Sequence, residues 1–215
     1  MDFMRIIKSL EQLLYELMVW LVFYPLTLVR AIFRPLRLMD YADDELDGTD
    51  EDRYSDTLSP PIFLAITLGL IHLVELAGSW NIVTEGLLAD DRNLLAYRIV
   101  AFALFPLMLS LRLLRAKKIP LDRKTLRLPF YAQCFIAGPF ALGFDTCILA
   151  IEGGANWGVG FAILVATVVW YLSVQTMWFR ENLSCGWLRG FGNTMRGFFE
   201  ALFICLVLGI VVNLI

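Results

Sequence analysis

The sequence predicts an all-α protein, a polytopic transmembrane helix bundle preceded by an amphipathic interfacial helix. Three observations carry that expectation. Hydrophobic residues make up 59% of the 215-residue chain and charged residues only 18%, against roughly 45–50% and about 25% in an average soluble domain. The mean hydropathy is +0.67. The charges are also clumped, acidic between Asp40 and Asp56 and basic between Arg112 and Arg127, with long apolar runs between the clusters. The formal net charge of −3 therefore averages unlike regions, and no nucleic-acid partner is expected.

Residues 1–39 form the first region. Phe3, Ile6, Ile7, Leu10, Leu13, Leu14, Leu17 and Leu21 recur at three- and four-residue intervals, with Arg5, Lys8, Ser9, Glu11 and Gln12 on the other side. That spacing predicts an amphipathic helix. It runs into an apolar stretch at 17–29, which is shorter than the roughly 17–25 residues a span requires. Extending the stretch brings in Glu16 or Arg30. We therefore expect an interfacial or re-entrant helix, broken near Pro25 and anchored by Arg30, Arg34 and Arg37. A sixth span would have to bury Glu16. No cleavable leader is expected, because no cationic, apolar and small-residue regions follow one another near Met1.

Residues 40–60 read as an acidic polar linker, without the Gly and Glu spacing of an EF-hand loop. Residues 61–215 read as a five-span bundle, with spans at about 61–80, 94–114, 129–151, 157–179 and 195–215. The first opens on Ser59-Pro60-Pro61, where proline costs no helical hydrogen bond. The third contains Gly138-Pro139, the expected site of a helix break. Each run is long enough to cross, and in lipid only a helix satisfies its own backbone.

Lys and Arg orient the bundle. Arg112, Arg115, Lys117, Lys118, Arg123, Lys124 and Arg127 lie between the second and third spans, and Arg180, Arg189 and Arg196 between the fourth and fifth. The alternate loops carry only Arg92. Basic loops belong in the cytoplasm, so the expected arrangement is a plasma (inner) membrane protein with its N-terminus inside and its C-terminus outside.

Ionisable groups at membrane depth are costly and draw attention to function. His72 and Glu75 share one helix face in the first span, Arg98 lies near the start of the second, and Asp145 lies late in the third. At 1.5 Å per residue, all four are expected in the outer half of the bilayer at about one depth. Such a cluster suits either a polar, proton-sensitive site or polar glue between helices. Near the inner side, Glu200 is expected to pair with Arg112, Arg115 or Arg180.

The other motifs point away from catalysis. One histidine excludes a di-iron bundle site, which needs two Glu-x-x-His pairs. Cys134, Cys147, Cys185 and Cys205 are dispersed and read as small hydrophobes rather than metal ligands. There is no P-loop, GxSxG or HExxH, and Gly190-Phe191-Gly192 has no strand before it. No metal or cofactor is expected.

The Phe33-Arg34-Pro35-Leu36-Arg37 turn, the Ser59-Pro60-Pro61 start and the Gly192-Asn193 to Arg196 segment, in this layout, resemble the Yip1-like membrane family, including permease-like bacterial members. The Tyr-Asp-Gly-Pro stretch and the Gly-Tyr-rich turn of the eukaryotic members are absent. The resemblance implies a non-enzymatic inner-membrane scaffold, accessory subunit or small-solute channel component. Its expected partners are membrane lipids and either another membrane protein or further copies of the chain. A small-solute or proton-coupled transporter built on the His72, Glu75, Arg98 and Asp145 cluster is the alternative.

Overall fold

The computed structural model describes residues 2–47, 54, 57–78 and 86–214. Among these, the regular elements are all helical: α1 (Asp2–Phe33), α2 (Pro35–Asp47), α3 (Pro60–Gly78), α4 (Asp91–Lys117), α5 (Arg123–Glu152), α6 (Trp157–Leu183) and α7 (Trp187–Leu214), with a short 3-10 turn at Leu87–Ala89. Six of them, all but α2, are long and apolar enough to cross a membrane. The chain is a multi-pass membrane protein.

Helices α4 and α5 overrun the apolar runs at both ends, because polar caps outside those runs fix their starts. Asp90 accepts from the Arg92 N–H at 2.9 Å. Asp122 and Thr125 form a reciprocal capping box, with 2.8 Å from the Thr125 N–H to Asp122 and 3.0 Å from the Asp122 N–H to the Thr125 hydroxyl. The bond from the Thr125 N–H holds the Asp122 carboxyl below its usual range. Asn156 caps α6 in the same way, accepting from the Gly158 N–H at 2.9 Å. Helix α7 begins at Trp187 rather than near 195.

The N-terminal region differs from the sequence expectation. Helix α1 continues through Pro25 without the expected break. A proline removes one backbone hydrogen bond, and helices in lipid tolerate that loss where neighbouring groups compensate. The interruption comes instead at Arg34, the residue before Pro35, where the proline ring disfavours helical backbone. As a result 7–33 is one helix of spanning length. Residues 40–47 belong to α2 rather than to a linker. Leu38, Met39 and Ala42 form a buried stripe on that helix, which packs on α5 and leaves Asp40 and Asp44 exposed. Glu45 accepts from the Tyr54 N–H at 2.7 Å. The rest of the acidic stretch, and positions 79–80 at the end of the first expected span, lie outside the described residues.

Helix α5 is the centre of the bundle, packed by α1, α2, α3, α4 and α6. Its most apolar stretch is 56% buried, against 17% for α6 and α7 and 11% for α1. The outer helices therefore offer their surfaces to lipid. The expected break at Gly138-Pro139 is absent, and α5 runs through both residues. The residues from Ala132 to Ala141 are all buried, so the surrounding helices hold the turn that Pro139 weakens. Gly138 serves close packing, because a Cβ there would lie 2.5 Å from Cε1 of Phe63 on α3. Aromatic rings fill the layer beyond it. Phe140 stacks on Tyr171 with centroids 4.2 Å apart, and Phe105 and Phe198 close around them.

Candidate functional site

The structure brings His72, Glu75, Arg98 and Asp145 together from three helices. Glu75 stands one turn before the end of α3, Arg98 two turns into α4, and Asp145 two turns before the end of α5. Helix α4 runs antiparallel to α3 and α5, so its start and their ends deliver the four residues to the same end of the bundle. All are buried, with exposures of 6% for His72, 4% for Glu75, 6% for Arg98 and 2% for Asp145.

Arg98 organises the cluster. Its Nη1 donates to Glu75 Oε2, and its Nη2 lies 4.0 Å from Asp145 Oδ1. His72 Nδ1 is 3.8 Å from Glu75 Oε2, beyond hydrogen-bond reach. One guanidinium thus faces two carboxylates, and His72 stands where a second positive charge would balance them. Three buried polar atoms of this cluster find no hydrogen-bond partner among the described residues: His72 Nδ1, Glu75 Oε1 and Asp145 Oδ2. An unsatisfied buried polar atom typically costs about 1–3 kcal/mol, more when charged.

Beside the cluster, α4, α5, α6 and α7 line a cavity of about 430 Å³. Arg98 and Asp145 reach it, whereas His72 and Glu75 do not. The other walls are largely aromatic and aliphatic, with Phe102, Phe105, Phe140, Phe144 and Phe198 prominent. Ligand sites are commonly of this kind, apolar hollows of roughly 300–1,000 Å³ with a few placed polar groups. Tyr97 also borders the cavity, with its hydroxyl committed to the Cys205 carbonyl at 3.2 Å.

No family model, curated protein or solved structure matches this chain. The resemblance to Yip1-like proteins accordingly extends only to the polytopic helical layout.

At the opposite end of the bundle, Arg112 Nη1 lies 4.0 Å from Glu200 Oε1. The Arg112 Nε–H donates to Asn193 Oδ1 at 3.0 Å, so Arg112 ties α4 to α7 by two contacts. Arg180, another cation expected within reach of Glu200, lies over the Trp187 ring at 3.7 Å. Among the described residues no group of three His, Cys, Asp or Glu is placed to hold a metal ion.

Two features escaped the sequence reading. The aromatic cavity has no linear signature, because its walls come from four helices. The second is a pair of buried amides. Gln133 Nε2 donates to Gln175 Oε1 at 2.8 Å, and Gln175 Nε2 returns a bond to Gln133 Oε1 at 2.6 Å. A search for charges passes over glutamine, yet a glutamine within a predicted span is itself a signal of an interhelical bond.

Proposed function

We propose that this is a non-catalytic scaffold or accessory protein of the plasma (inner) membrane, which binds other membrane components through the free half of α1. One observation carries this reading: every described side chain from Met4 to Met18 is exposed. Only the later part of α1 docks on the bundle, through buried Thr27 and Ala31. The free half bears Arg5, Lys8, Glu11 and Glu16 among Leu10, Leu13, Leu14 and Leu17. Glu16 falls about 13 Å along the stretch that begins at Ile7. If α1 crosses, that carboxylate meets hydrocarbon unless a partner covers it. If α1 lies in the interface, its apolar face is available to lipid and partner alike.

Purification in mild detergent tests this reading. A stoichiometric membrane partner, or a defined homo-oligomer, should accompany the full chain and dissociate when residues 1–18 are deleted. A protein that stays monodisperse and alone, and whose reconstituted solute flux disappears in Glu75→Gln, would overturn it. Orientation has its own test. With the basic segments in the cytoplasm, a reporter after Ile215 should be active outside whether or not α1 crosses. A reporter before Met1 separates five spans from six, being cytoplasmic only if α1 does not cross.

A second reading is favoured by the cavity at Arg98 and Asp145: a small-solute or proton-coupled transporter with its polar site in the outer half of the bilayer. The partnerless oxygens of Glu75 and Asp145 support it, because a proton or a polar solute would satisfy them. Flux in proteoliposomes that is lost in Asp145→Asn while the fold persists would favour it over the scaffold.

A further inference from the structure

A second hollow lies away from the charged cluster, as a groove of about 770 Å³ on the surface between α4 and α5. Its two walls differ in chemistry. Helix α4 contributes an apolar stripe of Ile99, Val100, Ala103, Leu104 and Leu107. Helix α5 contributes Arg123, Lys124 and Arg127 on its first two turns, followed by Phe130 and Tyr131. All three cations are exposed. The Arg127 guanidinium rests 5.2 Å from the centre of the Tyr131 ring. Lys124 has Asp122 for a neighbour, and none of the three makes a salt bridge with another described residue.

We propose that this groove binds one anionic phospholipid, with its headgroup phosphate among Arg123, Lys124 and Arg127 and an acyl chain along the α4 stripe. The charge of the groove selects the headgroup. Three cations within five residues, at the end of a spanning helix, sit at headgroup level, where basic side chains attract anionic lipid. The apolar wall selects a lipid over a free phosphate. From Leu107 to Ile99 the stripe runs about 12 Å deeper along α4, and Ile99 and Val100 remain 40% and 49% exposed, uncovered by any described element. The helix N-terminus contributes no free donors at Lys124 and Thr125, because Asp122 already caps those N–H groups. Attraction therefore comes from the three side chains, assisted by the flat Tyr131 ring that supports Arg127.

Native mass spectrometry tests the proposal on the full chain in a zwitterionic detergent, titrated with phosphatidylglycerol or with phosphatidylcholine of the same acyl chains. One phosphatidylglycerol should be retained in preference to phosphatidylcholine. Replacing all three cations (Arg123→Gln, Lys124→Gln and Arg127→Gln) should weaken that retention roughly a hundredfold, at about fivefold per cation. Leu104→Trp, which fills the apolar wall and spares the cations, should weaken it as well. Arg189→Gln, an exposed cation elsewhere on the protein, should leave it unchanged, and glycerol phosphate should not displace the lipid. Equal retention of the two lipids, or full retention in the triple variant or in Leu104→Trp, would overturn the proposal. Equal loss in Arg189→Gln would show diffuse attraction instead, and displacement by glycerol phosphate would show a phosphate site without a lipid. Either result would also defeat it.

Discussion

Two charged contacts between helices, Arg98 with Glu75 and Asp145 and Arg112 with Glu200, lie towards opposite ends of the bundle and differ in nearly every physical respect. Arg98 meets Glu75 and Asp145 with side chains at most 7% exposed. Arg112 meets Glu200 across 4.0 Å with side-chain exposures of 21% and 39%. At the first site the surroundings cannot solvate a charge whose partner is lost. At the second, both side chains are partly open to the surroundings of the bundle. The same residue types thus form a buried, interdependent cluster in one place and a weak tether in the other.

The largest expected effect follows from breaking the buried cluster. Arg98→Met leaves two carboxylates facing each other without a cation. Losing one partner of a buried pair costs about 3–5 kcal/mol. The melting temperature in detergent should fall further for this variant than for single substitutions at Gly138, Gln133 or Glu200. Removing the charges together sharpens the point. Arg98→Met combined with Glu75→Gln and Asp145→Asn should recover most of the loss, because no uncompensated charge remains. If the triple variant is as unstable as Arg98→Met alone, charge compensation is not what holds α3, α4 and α5 at this end.

Intermediate effects belong to α5, which links the two ends. Gly138→Ala places a methyl group against the fully buried Phe63 ring, and overpacking of this kind costs about 1–3 kcal/mol. Thermal unfolding should show the loss, and the compensating variant Gly138→Ala with Phe63→Leu should regain part of it. Gln133→Leu should cost somewhat less, roughly 0.6–1.7 kcal/mol, the scale of interhelical hydrogen bonds in membranes. It strands the amide of Gln175. The pair Gln133→Leu and Gln175→Leu should be milder than the single change, since both polar groups leave together.

The helical bundle and the gathering of polar residues differ in how legible they are. Apolar runs near spanning length reveal helices directly, because lipid leaves the backbone no other open-chain solution. Residues such as His72, Glu75, Arg98 and Asp145 stand out because ionisable side chains at that depth are expensive. Proline is a poorer guide. Pro25 and Pro139 both sit inside continuous helices, since the effect of a missing N–H depends on neighbours contributed by distant parts of the chain. The continuation of α2 through 40–47 is hidden for a related reason. Leu38, Met39 and Ala42 form a core stripe only because α5 lies against it, and local composition is dominated by the acidic face. The cavity is less legible still, because its shape is a property of four helices and not of any segment.

The smallest effect tests the exposed end. Glu200→Gln removes the carboxylate opposite Arg112 while keeping the side chain's length. The pair is long and partly exposed, and exposed ion pairs contribute about 0–1 kcal/mol. Arg112 also keeps its bond to Asn193, so its hold on α7 does not depend on Glu200. The melting temperature should therefore change little, and less still at high salt, where screening already weakens the pair. Asn193→Leu should cost more than Glu200→Gln, because it removes the shorter of the two contacts. If Glu200→Gln instead proves as damaging as Arg98→Met, the two ends are not the contrasting environments that their burial implies, and Glu200 must be covered in the membrane by a partner or a lipid.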